Sequence, residues 1–333
     1  MDPHPRVLYE KVKEYETDPS FGITPQERSI PELLDLGIIN IDKPANPTSH
    51  EVTAWVKQIL GLKKAGHGGT LDPSVTGCLP VALERATRAL QVLLLSGKEY
   101  ICVLKTHEPI SKIQLATVID DFRGKIYQTP PLRSNVKRRL RVRQIYELDF
   151  IENDPSNQLW LLRVKCEAGT YIRKLCYDVG LVLGTGAHMA ELRRTQTGVF
   201  TETTCVTLDD LRDAWYYYKM EGDETLIRKF VQPAEILCSS LPKLFIRDSA
   251  VDAICHGAAL TLPGVVRVTN GISDKTMIAI MTMKGELVAF AQGTMSTKEI
   301  LNGSTGICAR PRTVFMRPYS YPSLWGRARN IVL

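Results

Sequence analysis

Apolar residues recur along this chain at two spacings, and each spacing predicts a different kind of element. Where they fall three and four positions apart, the pattern predicts helices at residues 7–15, 52–60, 85–95 and 171–183. Where apolar and polar residues alternate, or short β-branched runs stand between turn residues, it predicts strands at 37–41, 98–105, 158–166, 265–268, 276–281 and 286–291. Helices and strands are therefore mixed in the first part of the chain, and short strands dominate the last part.

Local signals set the ends of two of these helices. Thr48 and Glu51 fit a capping box, in which side chains and backbone bond reciprocally across the first turn, and Gly61 ends the helix that follows. Thr170 is predicted to cap the helix at 171–183, and Gly184 is predicted to end it. The side chains at positions 171 and 173 are therefore expected at a junction between a strand and a helix.

The chain divides by composition into three parts. Residues 1–36 are polar and interrupted by prolines, which predicts an extension that lies on another part of the protein. Residues 37–240 carry the mixed elements, and residues 241–326 carry short, regularly spaced strands with glycine turns, the pattern of a small barrel. We therefore expect one large domain, one small domain and the extension.

One turn rich in small residues follows the predicted helix at 52–60. It runs from Gly66 to Gly77 and contains a single carboxylate, that of Asp72, followed by Pro73. Glycines permit backbone conformations and close approaches that larger side chains block, so such a turn can present a reactive group to a bulky substrate. An isolated Asp-Pro step is more often a purely structural turn, and that alternative stays open here.

The composition is ordinary for a soluble globular protein, with 44% apolar and 23% charged residues. Apolar runs stay below the roughly 18 residues of a membrane span, and the first residues lack the profile of a secretory signal. We therefore expect no membrane association. The eight cysteines form no Cys-x-x-Cys pair and have no clustered histidines, which argues against a zinc site and against a disulfide framework.

The net charge of +6 is concentrated in two stretches. Residues 132–146 hold six bases and no acid, and residues 300–333 hold five arginines and no acid, whereas residues 1–35 carry eight acids and four bases. A run of like charges often forms only a solvated surface, but a basic run that contains no acidic residue favours contact with a polyanion. We predict RNA contact by His67, Arg133, Lys137, Arg138, Arg139, Arg141 and Arg143.

Several strings resemble the motifs of one enzyme family. The string Gly-His-x-Gly-Thr-Leu-Asp-Pro-x-x-Thr-Gly at 66–77 resembles the catalytic loop of the pseudouridine synthases that modify the T-loop uridine of tRNA, and of the related dyskerin-type synthases of H/ACA ribonucleoproteins. Further matching strings are DKPANPTSH at 42–50, KEY at 98–100, GTYIR at 169–173 and ELRRT at 191–195. Residues 248–264 resemble a PUA domain, an RNA-binding module.

The resemblance implies roles for five residues. Asp72 corresponds to the catalytic aspartate, and Arg173 to the arginine that pairs with it. Tyr100 corresponds to the tyrosine that stacks on the target base and can take part in proton transfer, while Tyr171 and Leu192 line the base pocket. Without the resemblance, Tyr100 would be read as strand packing and Arg173 as a solvated side chain.

The resemblance also implies a fold. We expect an α/β (α+β) pseudouridine synthase catalytic domain at 37–240, with a mixed, largely antiparallel sheet, and a small β-barrel PUA domain at 241–326. The extension at 1–36 is expected to pack on the PUA domain. Residues 126–143, predicted as a loop, resemble the mobile thumb loop of dyskerin-type synthases. The chain looks archaeal in type, so its expected location is cytoplasmic, or nucleolar if it is eukaryotic.

The implied function is isomerisation of uridine to pseudouridine in rRNA, with tRNA as a further substrate, by the catalytic subunit of an H/ACA guide ribonucleoprotein. The implied partners are an H/ACA guide RNA, substrate RNA, a small zinc-ribbon-like subunit, a glycine- and arginine-rich Gar-type protein and a kink-turn-binding ribosomal-type protein. Neither a cofactor nor a metal is expected. Two alternatives stay open: a stand-alone synthase for the tRNA T-loop and a non-catalytic RNA-binding scaffold.

Overall fold

A computed structural model describes residues 6–130 and 137–323 of the chain. In these ranges the strands are β1 (Leu8–Glu10), β2 (Gly37–Lys43), β3 (Ala65–His67), β4 (Thr76–Leu83), β5 (Lys98–Thr106), β6 (Gly124–Gln128), β7 (Arg141–Asn153), β8 (Leu159–Cys166), β9 (Ala187–Thr197), β10 (Phe200–Thr201), β11 (Gln232–Pro233), β12 (Lys243–Ile246), β13 (Leu260–Thr261), β14 (Val265–Thr269), β15 (Met277–Thr282), β16 (Leu287–Gly293) and β17 (Ile307–Val314). The α-helices are α1 (Ile30–Asp35), α2 (Ser49–Ile59), α3 (Leu90–Leu95), α4 (Lys112–Asp121), α5 (Ile172–Leu183), α6 (Leu208–Glu221), α7 (Thr225–Phe230), α8 (Asp248–Cys255) and α9 (Thr297–Asn302). Within the same ranges, every helix is too short or too polar to cross a bilayer.

The chain forms two compact units. The first takes Met1–Ile38, Ala82–Ala89 and Val231–Leu333, and the second takes Ile39–Val81 and Leu90–Phe230. The first unit is therefore built from three separate pieces of sequence. The domain limits predicted after residues 36 and 240 stay a prediction.

The sheet of the second unit has the strand order β2-β4-β9-β5-β8-β7-β6. β5 runs antiparallel to β8 and β9, and β7 runs antiparallel to β6 and β8, whereas β4 runs parallel to β9. The predicted mixed, largely antiparallel sheet is confirmed. Helices α4 and α5 pack on this sheet and bury apolar side chains that include Leu115, Ile119, Trp160, Leu175 and Val179. Each such burial stabilises the fold by about 1.5 to 3 kcal/mol.

Helix α2 begins where its sequence signal predicts. Glu51 N donates to Thr48 Oγ1 at 3.2 Å, and Thr48 N donates to the Glu51 carboxylate at 2.7 Å, which completes a capping box. Val52 and Val56 are fully buried on one face of the helix. Removing a cap of this kind costs about 1 kcal/mol, so local sequence alone fixes the start of this element.

Two helix predictions are wrong in detail. Instead of one helix at 85–95, the chain forms a 3₁₀ helix at Glu84–Ala89 and then α3. Thr87 Oγ1 donates to Glu84 O at 2.8 Å and so favours the tighter turn. Thr170 does not cap α5, because its hydroxyl donates to Glu167 O at 2.7 Å and closes the preceding turn. The N-cap position is Tyr171, which makes no side-chain cap bond.

The loop predicted at 126–143 is wrong at its two ends, and residues 131–136 of it lie outside the described residues. Strands β6 and β7 occupy its two ends, with Tyr127 paired to Val142 and Gln128 paired to Arg141. Ile126 and Gln128 are buried, whereas Lys125 and Tyr127 are exposed, so the strand alternation was present in the sequence. The loop prediction gave more weight to the nearby prolines and basic residues than to this short alternation of apolar and polar residues, and it was therefore wrong at these two ends.

The sheet of the first unit has the strand order β1-β14-β12-β15-β16-β17-β13. The strands predicted at 265–268, 276–281 and 286–291 form β14, β15 and β16. β12 runs parallel to β15, and the other neighbours run antiparallel. The core of this unit includes the fully buried side chains of Leu244, Ile246, Val268, Ile278 and Val288.

The helix predicted at 7–15 is wrong. Residues 8–10 form β1, which pairs antiparallel with β14, and Leu8 lies opposite Thr269. Arg267 of β14 contacts Glu10 at 3.1 Å and lies 5.3 Å from the centre of the Tyr15 ring. The edge of a distant strand therefore decides the conformation of this segment.

Candidate active site

The turn that contains Asp72 lies between β3 and β4 in the second unit. Val75 N donates to Asp72 O at 3.0 Å and closes the turn. The Asp72 side chain is 53% exposed, and Arg173 in the first turn of α5 donates from Nη2 to Asp72 Oδ2. The structure thus brings a carboxylate and a guanidinium together at an exposed point, although they stand 101 positions apart in sequence.

Side chains from β2 and α2 hold the backbone around Asp72. The Lys43 ammonium is fully buried and donates to three backbone oxygens at 2.8 to 2.9 Å, those of Pro44, Pro73 and Val75. Ser49 Oγ accepts from Leu71 N at 2.9 Å and donates to Leu71 O at 3.1 Å. The carboxylate therefore stands on a backbone that is fixed from the buried side.

Tyr100 and Leu192 lie on one face of the sheet. Across β5 and β9, Tyr100 is paired with Arg194 and Cys102 with Leu192, and directly paired residues point to the same face. Tyr100 and Leu192 are half-buried and pack at the edge of the hydrophobic core. Burial raises the pKa of Tyr100 and outweighs the charge and hydrogen bond of Arg194, which lower it; the Asp72 carboxylate raises it as a smaller cause. The net direction is upward, so the hydroxyl keeps its proton at neutral pH.

Tyr171 is held through its backbone by a buried glutamine. Tyr171 N donates to Gln128 Oε1 at 2.9 Å, and Gln128 Nε2 donates to Tyr171 O at 3.1 Å. Gln128 is 2% exposed. Because Arg173 follows two residues later, this pair of bonds also fixes the start of the helix that carries Arg173.

Sequence reasoning missed three residues of this site: Lys43, Gln128 and Arg194. Lys43 stands inside the DKPANPTSH string and Arg194 inside the ELRRT string. Their position in these motif strings was the signal that could have identified them as site residues. Gln128 stands at the inward position of a short alternating strand, where a polar residue needs a partner.

Successive parts of the chain match the sequence patterns of four protein families. They are "DKCLD (NUC011) domain" at residues 9–53, "TruB family pseudouridylate synthase (N terminal domain)" at 57–111, "tRNA pseudouridylate synthase B C-terminal domain" at 173–239 and "PUA domain" at 242–315. The strings around Asp72 and Tyr100 lie in the second match, and Arg173 and Leu192 lie in the third.

Curated relatives match nearly the whole chain. The "Probable tRNA pseudouridine synthase B" of Methanopyrus kandleri is 53% identical over 313 residues, which cover 94% of this chain and 92% of that protein. The protein of the same name from Pyrococcus abyssi is 51% identical over 321 residues, 96% of each chain. This chain belongs to the TruB family of pseudouridine synthases. It is an RNA-modifying isomerase, as the sequence motifs predicted, and the scaffold alternative is not supported.

Solved structures show that this TruB-family chain has the expected fold. A chain described under "Crystal Structure of a Cbf5-Nop10-Gar1 Complex" matches with a TM-score of 0.91 and 48% identity, over 97% of this chain and 98% of that one. A chain described under "Structure of H/ACA RNP bound to a substrate RNA containing 2'-deoxyuridine" matches with a TM-score of 0.91 and 45% identity over the same shares. The predicted catalytic fold with a PUA domain is confirmed.

The basic residues predicted to contact RNA differ in their exposure and in their contacts with the rest of this TruB-family chain. Lys137, Arg138 and Arg139 are exposed, whereas Arg141 and Arg143 are half-buried on strand β7. Arg143 donates to Gly169 O at 3.2 Å and contacts Glu167 at 3.5 Å. Arg133 lies outside the described residues. RNA contact by this segment stays a prediction, with the exposed bases as its better candidates.

His67 lies beside His50, with ring centres 4.9 Å apart in an edge-on arrangement. Its ring is half-buried, and burial lowers the pKa of His67 to about 4; the charges of His50 and Arg194 act in the same direction. His67 is therefore neutral at pH 7. If it contacts RNA as predicted, it does so without a positive charge.

Acid is expected to destabilise the fold through His67. Its pKa is 6.5 in the free residue and about 4 when folded, so folding favours the neutral ring. The resulting stability is fully present above pH 6.5 and is lost progressively as the pH falls from 6.5 to about 4; we expect about 1 to 2 kcal/mol after allowance for partial exposure. Urea denaturation at pH 7 and pH 4.5 should show a smaller loss for His67→Gln than for the wild type. Equal losses would contradict the assignment.

Gly77 is expected to tolerate no side chain. It has a φ of +100°, and a Cβ there would lie 2.2 Å from Arg194 O, on the strand to which Gly77 is paired. Gly77→Ala should lower the free energy of unfolding by about 3 kcal/mol or more, as measured by urea denaturation. The control is Gly61→Ala, at φ +64° with nothing within 4 Å of the added Cβ, which should cost about 1 kcal/mol. Equal costs at the two glycines would show that strand contact is not the cause.

Proposed function

We propose that this chain isomerises uridine to pseudouridine in rRNA as the catalytic subunit of an H/ACA guide ribonucleoprotein, with tRNA as a further substrate. Support comes from the two solved chains that match 97% of its length, one from a Cbf5-Nop10-Gar1 complex and one from an H/ACA RNP bound to a substrate RNA. In this proposal a guide RNA selects the target uridine by base pairing, and the PUA domain binds the guide.

The proposed partners follow from the same likeness and, for the kink-turn-binding protein, from the motif resemblance in the sequence. They are an H/ACA guide RNA, the substrate RNA, a small Nop10-type subunit, a Gar-type protein and a kink-turn-binding ribosomal-type protein. The matching curated relatives come from archaea such as Methanopyrus kandleri and Pyrococcus abyssi. We therefore also propose a cytoplasmic location in an archaeal cell.

The observation that carries the catalytic assignment is the ion pair between Asp72 and Arg173. The Asp72 charge also acts on the pKa of Tyr100. The isomerisation breaks the bond from ribose to the base nitrogen, turns the base and joins the ribose to carbon 5 of the ring. A carboxylate suits this task, because it is ionised at neutral pH and can attack the ribose or the ring, or stabilise the cationic sugar. Arg173 orients the carboxylate through a charge-assisted bond.

The half-buried side chains of Tyr100, Tyr171 and Leu192 suit a base that has left its stack. Extruding a nucleotide costs a few kcal/mol, and stacking on an aromatic ring returns about 1 to 3 kcal/mol. Tyr100 offers such a ring on the face that also carries Leu192. In this proposal Tyr171 and Leu192 close the pocket, and the Tyr100 hydroxyl relays the proton of carbon 5 to solvent: its oxygen accepts that proton as its own proton leaves.

The exposed bases of the segment between β6 and β7 are proposed to bind phosphates. Lys137, Arg138 and Arg139 are exposed, and each phosphate contact adds affinity that does not depend on sequence and weakens with salt. This segment would thus hold RNA near the pocket, while base pairing with the guide supplies the choice of target.

A second candidate function is modification of the tRNA T-loop by the protein alone. The name "Probable tRNA pseudouridine synthase B" of the curated relatives favours it. The two functions differ in whether a guide is needed, and one protein can have both.

Tritium release from RNA labelled at carbon 5 of uridine tests both functions. Purified protein is assayed with a target RNA in the presence and absence of an H/ACA guide and the partner proteins, and in parallel with unmodified tRNA. Release that requires the guide and its partners supports the ribonucleoprotein, whereas release from tRNA with protein alone supports the second candidate. Absence of release under all of these conditions would overturn both.

A further inference from the structure

Two consecutive arginines on β9 stand in opposite environments. The Arg193 side chain is 36% exposed, and its guanidinium contacts Asp42 at 3.0 and 2.9 Å as well as Glu202. The Arg194 side chain points to the other face of the sheet, and the residue is 1% exposed. Among the residues that the structure describes, no carboxylate oxygen lies within 4.0 Å of the Arg194 guanidinium. Its charge is therefore buried without an ion pair.

The Arg194 guanidinium joins the two ends of the Asp72 turn. Its Nη2 donates to Gly69 O at 3.1 Å and its Nε donates to Cys78 O at 2.8 Å. These two carbonyls lie three residues before and six residues after Asp72. One rigid, planar group thus fixes the distance between the points from which the turn projects, and a lysine has no second donor in that geometry.

Arg194 is one of three buried cations next to this turn. Lys43 and Lys98 also donate to backbone carbonyls, Lys98 to those of Leu93 at 2.9 Å and Ser96 at 2.7 Å. A Cβ added at Gly69 would lie 3.6 Å from Arg194 Nη1 and 3.9 Å from the Lys98 Cε. Like Arg194, neither lysine has a carboxylate partner within 4.0 Å in the described part of the chain.

Burying three such charges is costly, and the titration of the neighbours reflects it. Burial, with the charge of Arg194 as the second cause, lowers the pKa of Lys98 to about 8. Burial also lowers the pKa of Lys43, with Arg194 again the second cause. The Arg194 guanidinium thus supplies a positive potential below the turn.

We propose that Arg194 is a positioning residue for the isomerisation: it fixes both ends of the Asp72 turn, and its unneutralised charge favours the anionic form of the departing base. This rests on the proposed function. When the bond from ribose to the base nitrogen breaks, the electron pair stays with the uracil ring and spreads over its nitrogen and carbonyl oxygens. The cationic sugar is balanced by Asp72, and the anionic ring by the potential of Arg194, which is weakly screened because Arg194 itself is buried.

Two substitutions separate the parts of this proposal. Arg194→Gln removes the charge and one of the two backbone bonds, and it should lower kcat by roughly 10²-fold, the usual effect of losing one stabilising donor. Arg194→Lys keeps the charge but loses the bridging geometry. Its kcat should be about tenfold higher than that of Arg194→Gln. The dissociation constant for substrate RNA should change less than about twofold in both, because a residue that is 1% exposed cannot touch a phosphate.

Arg193→Gln is the matched control, since it removes the neighbouring arginine of the same strand; its kcat should stay within about threefold of wild type. Each protein is assayed by single-turnover tritium release, under the conditions in which the wild type is active and where circular dichroism shows the variant folded. If Arg194→Gln does not fold, Arg194→Lys carries the test, with an expected tenfold fall in kcat at unchanged RNA affinity.

The outcomes separate this proposal from the proposed function. Failure of the wild type to release tritium in any condition would overturn the function. An active wild type with Arg194→Gln within threefold of it would overturn the role of Arg194, as would wild-type kcat in Arg194→Lys when only that variant folds. Equal losses in Arg194→Gln and Arg194→Lys would overturn the part assigned to charge.

Discussion

Replacing Asp72 by asparagine is expected to lower tritium release by roughly 10³- to 10⁴-fold, the range for removal of a central catalytic group. Asparagine fills the same space but cannot act as an anionic nucleophile or balance a cationic sugar. Because the Asp72 side chain is 53% exposed and does not hold the turn together, the fold and the affinity for RNA should stay close to wild type. Single-turnover release and a filter-binding titration with the same RNA measure the two quantities.

Asp149→Asn is the matched control for that substitution. Asp149 is also a partly exposed carboxylate in the second unit that is paired with arginine, since Arg163 Nη2 lies 2.7 Å from it. Its loss should leave the rate within about twofold, because exposed ion pairs contribute little. A rate for Asp72→Asn within tenfold of wild type would show that another group performs the chemistry.

Replacing Lys43 by methionine is expected to lower the free energy of unfolding by about 2 to 4 kcal/mol. Methionine matches the length of the stem, but it leaves the carbonyls of Pro44, Pro73 and Val75 without their shared donor. Hydrogen bonds to a charged group contribute about 1.5 to 3 kcal/mol each, and relief of the buried charge offsets part of their loss. Urea denaturation of the two proteins at pH 7 measures the difference.

Lys57→Met, in the last turn of α2, is the control because Lys57 is exposed. It should change stability by no more than about 0.5 kcal/mol. If Lys43→Met is as stable as the control, the three short contacts of the ammonium do not hold the turn. If Lys43→Met is unstable but keeps the wild-type rate per folded molecule, the turn can present Asp72 without them.

Elements whose signals are local could be predicted from the sequence, and elements decided by distant partners could not. The start of α2 depends on Thr48 and Glu51, which are three residues apart, and the prediction is confirmed. The segment at 7–15 has a helical apolar spacing of its own, yet Leu8 pairs with Thr269. A spacing rule that reads one window cannot include a strand edge from the other end of the chain.

The candidate site shows the same division. Motif strings pointed to Asp72, Tyr100 and Arg173, and the structure brings Arg173 onto Asp72. Arg193 and Arg194 are identical in type and adjacent, so composition cannot tell which of them is buried. The burial of Arg194 depends on its pairing with Gly77 across β4 and β9. This pairing can be known only when the neighbouring strands of the sheet are known.

The discontinuous first unit has a consequence for synthesis on the ribosome. Leu8 leaves the exit tunnel early, but its partner Thr269 is made 261 residues later. At a synthesis rate of about 5 to 20 residues per second, β14 is made roughly 13 to 50 s after β1, and until then β1 has no strand to pair with. During this time Ile39–Phe230 contains all the sequence of the second unit and can fold first. We therefore expect nascent chains in which residue 230 has left the tunnel, but β14 has not, to protect the second unit from protease while residues 6–36 are still cut.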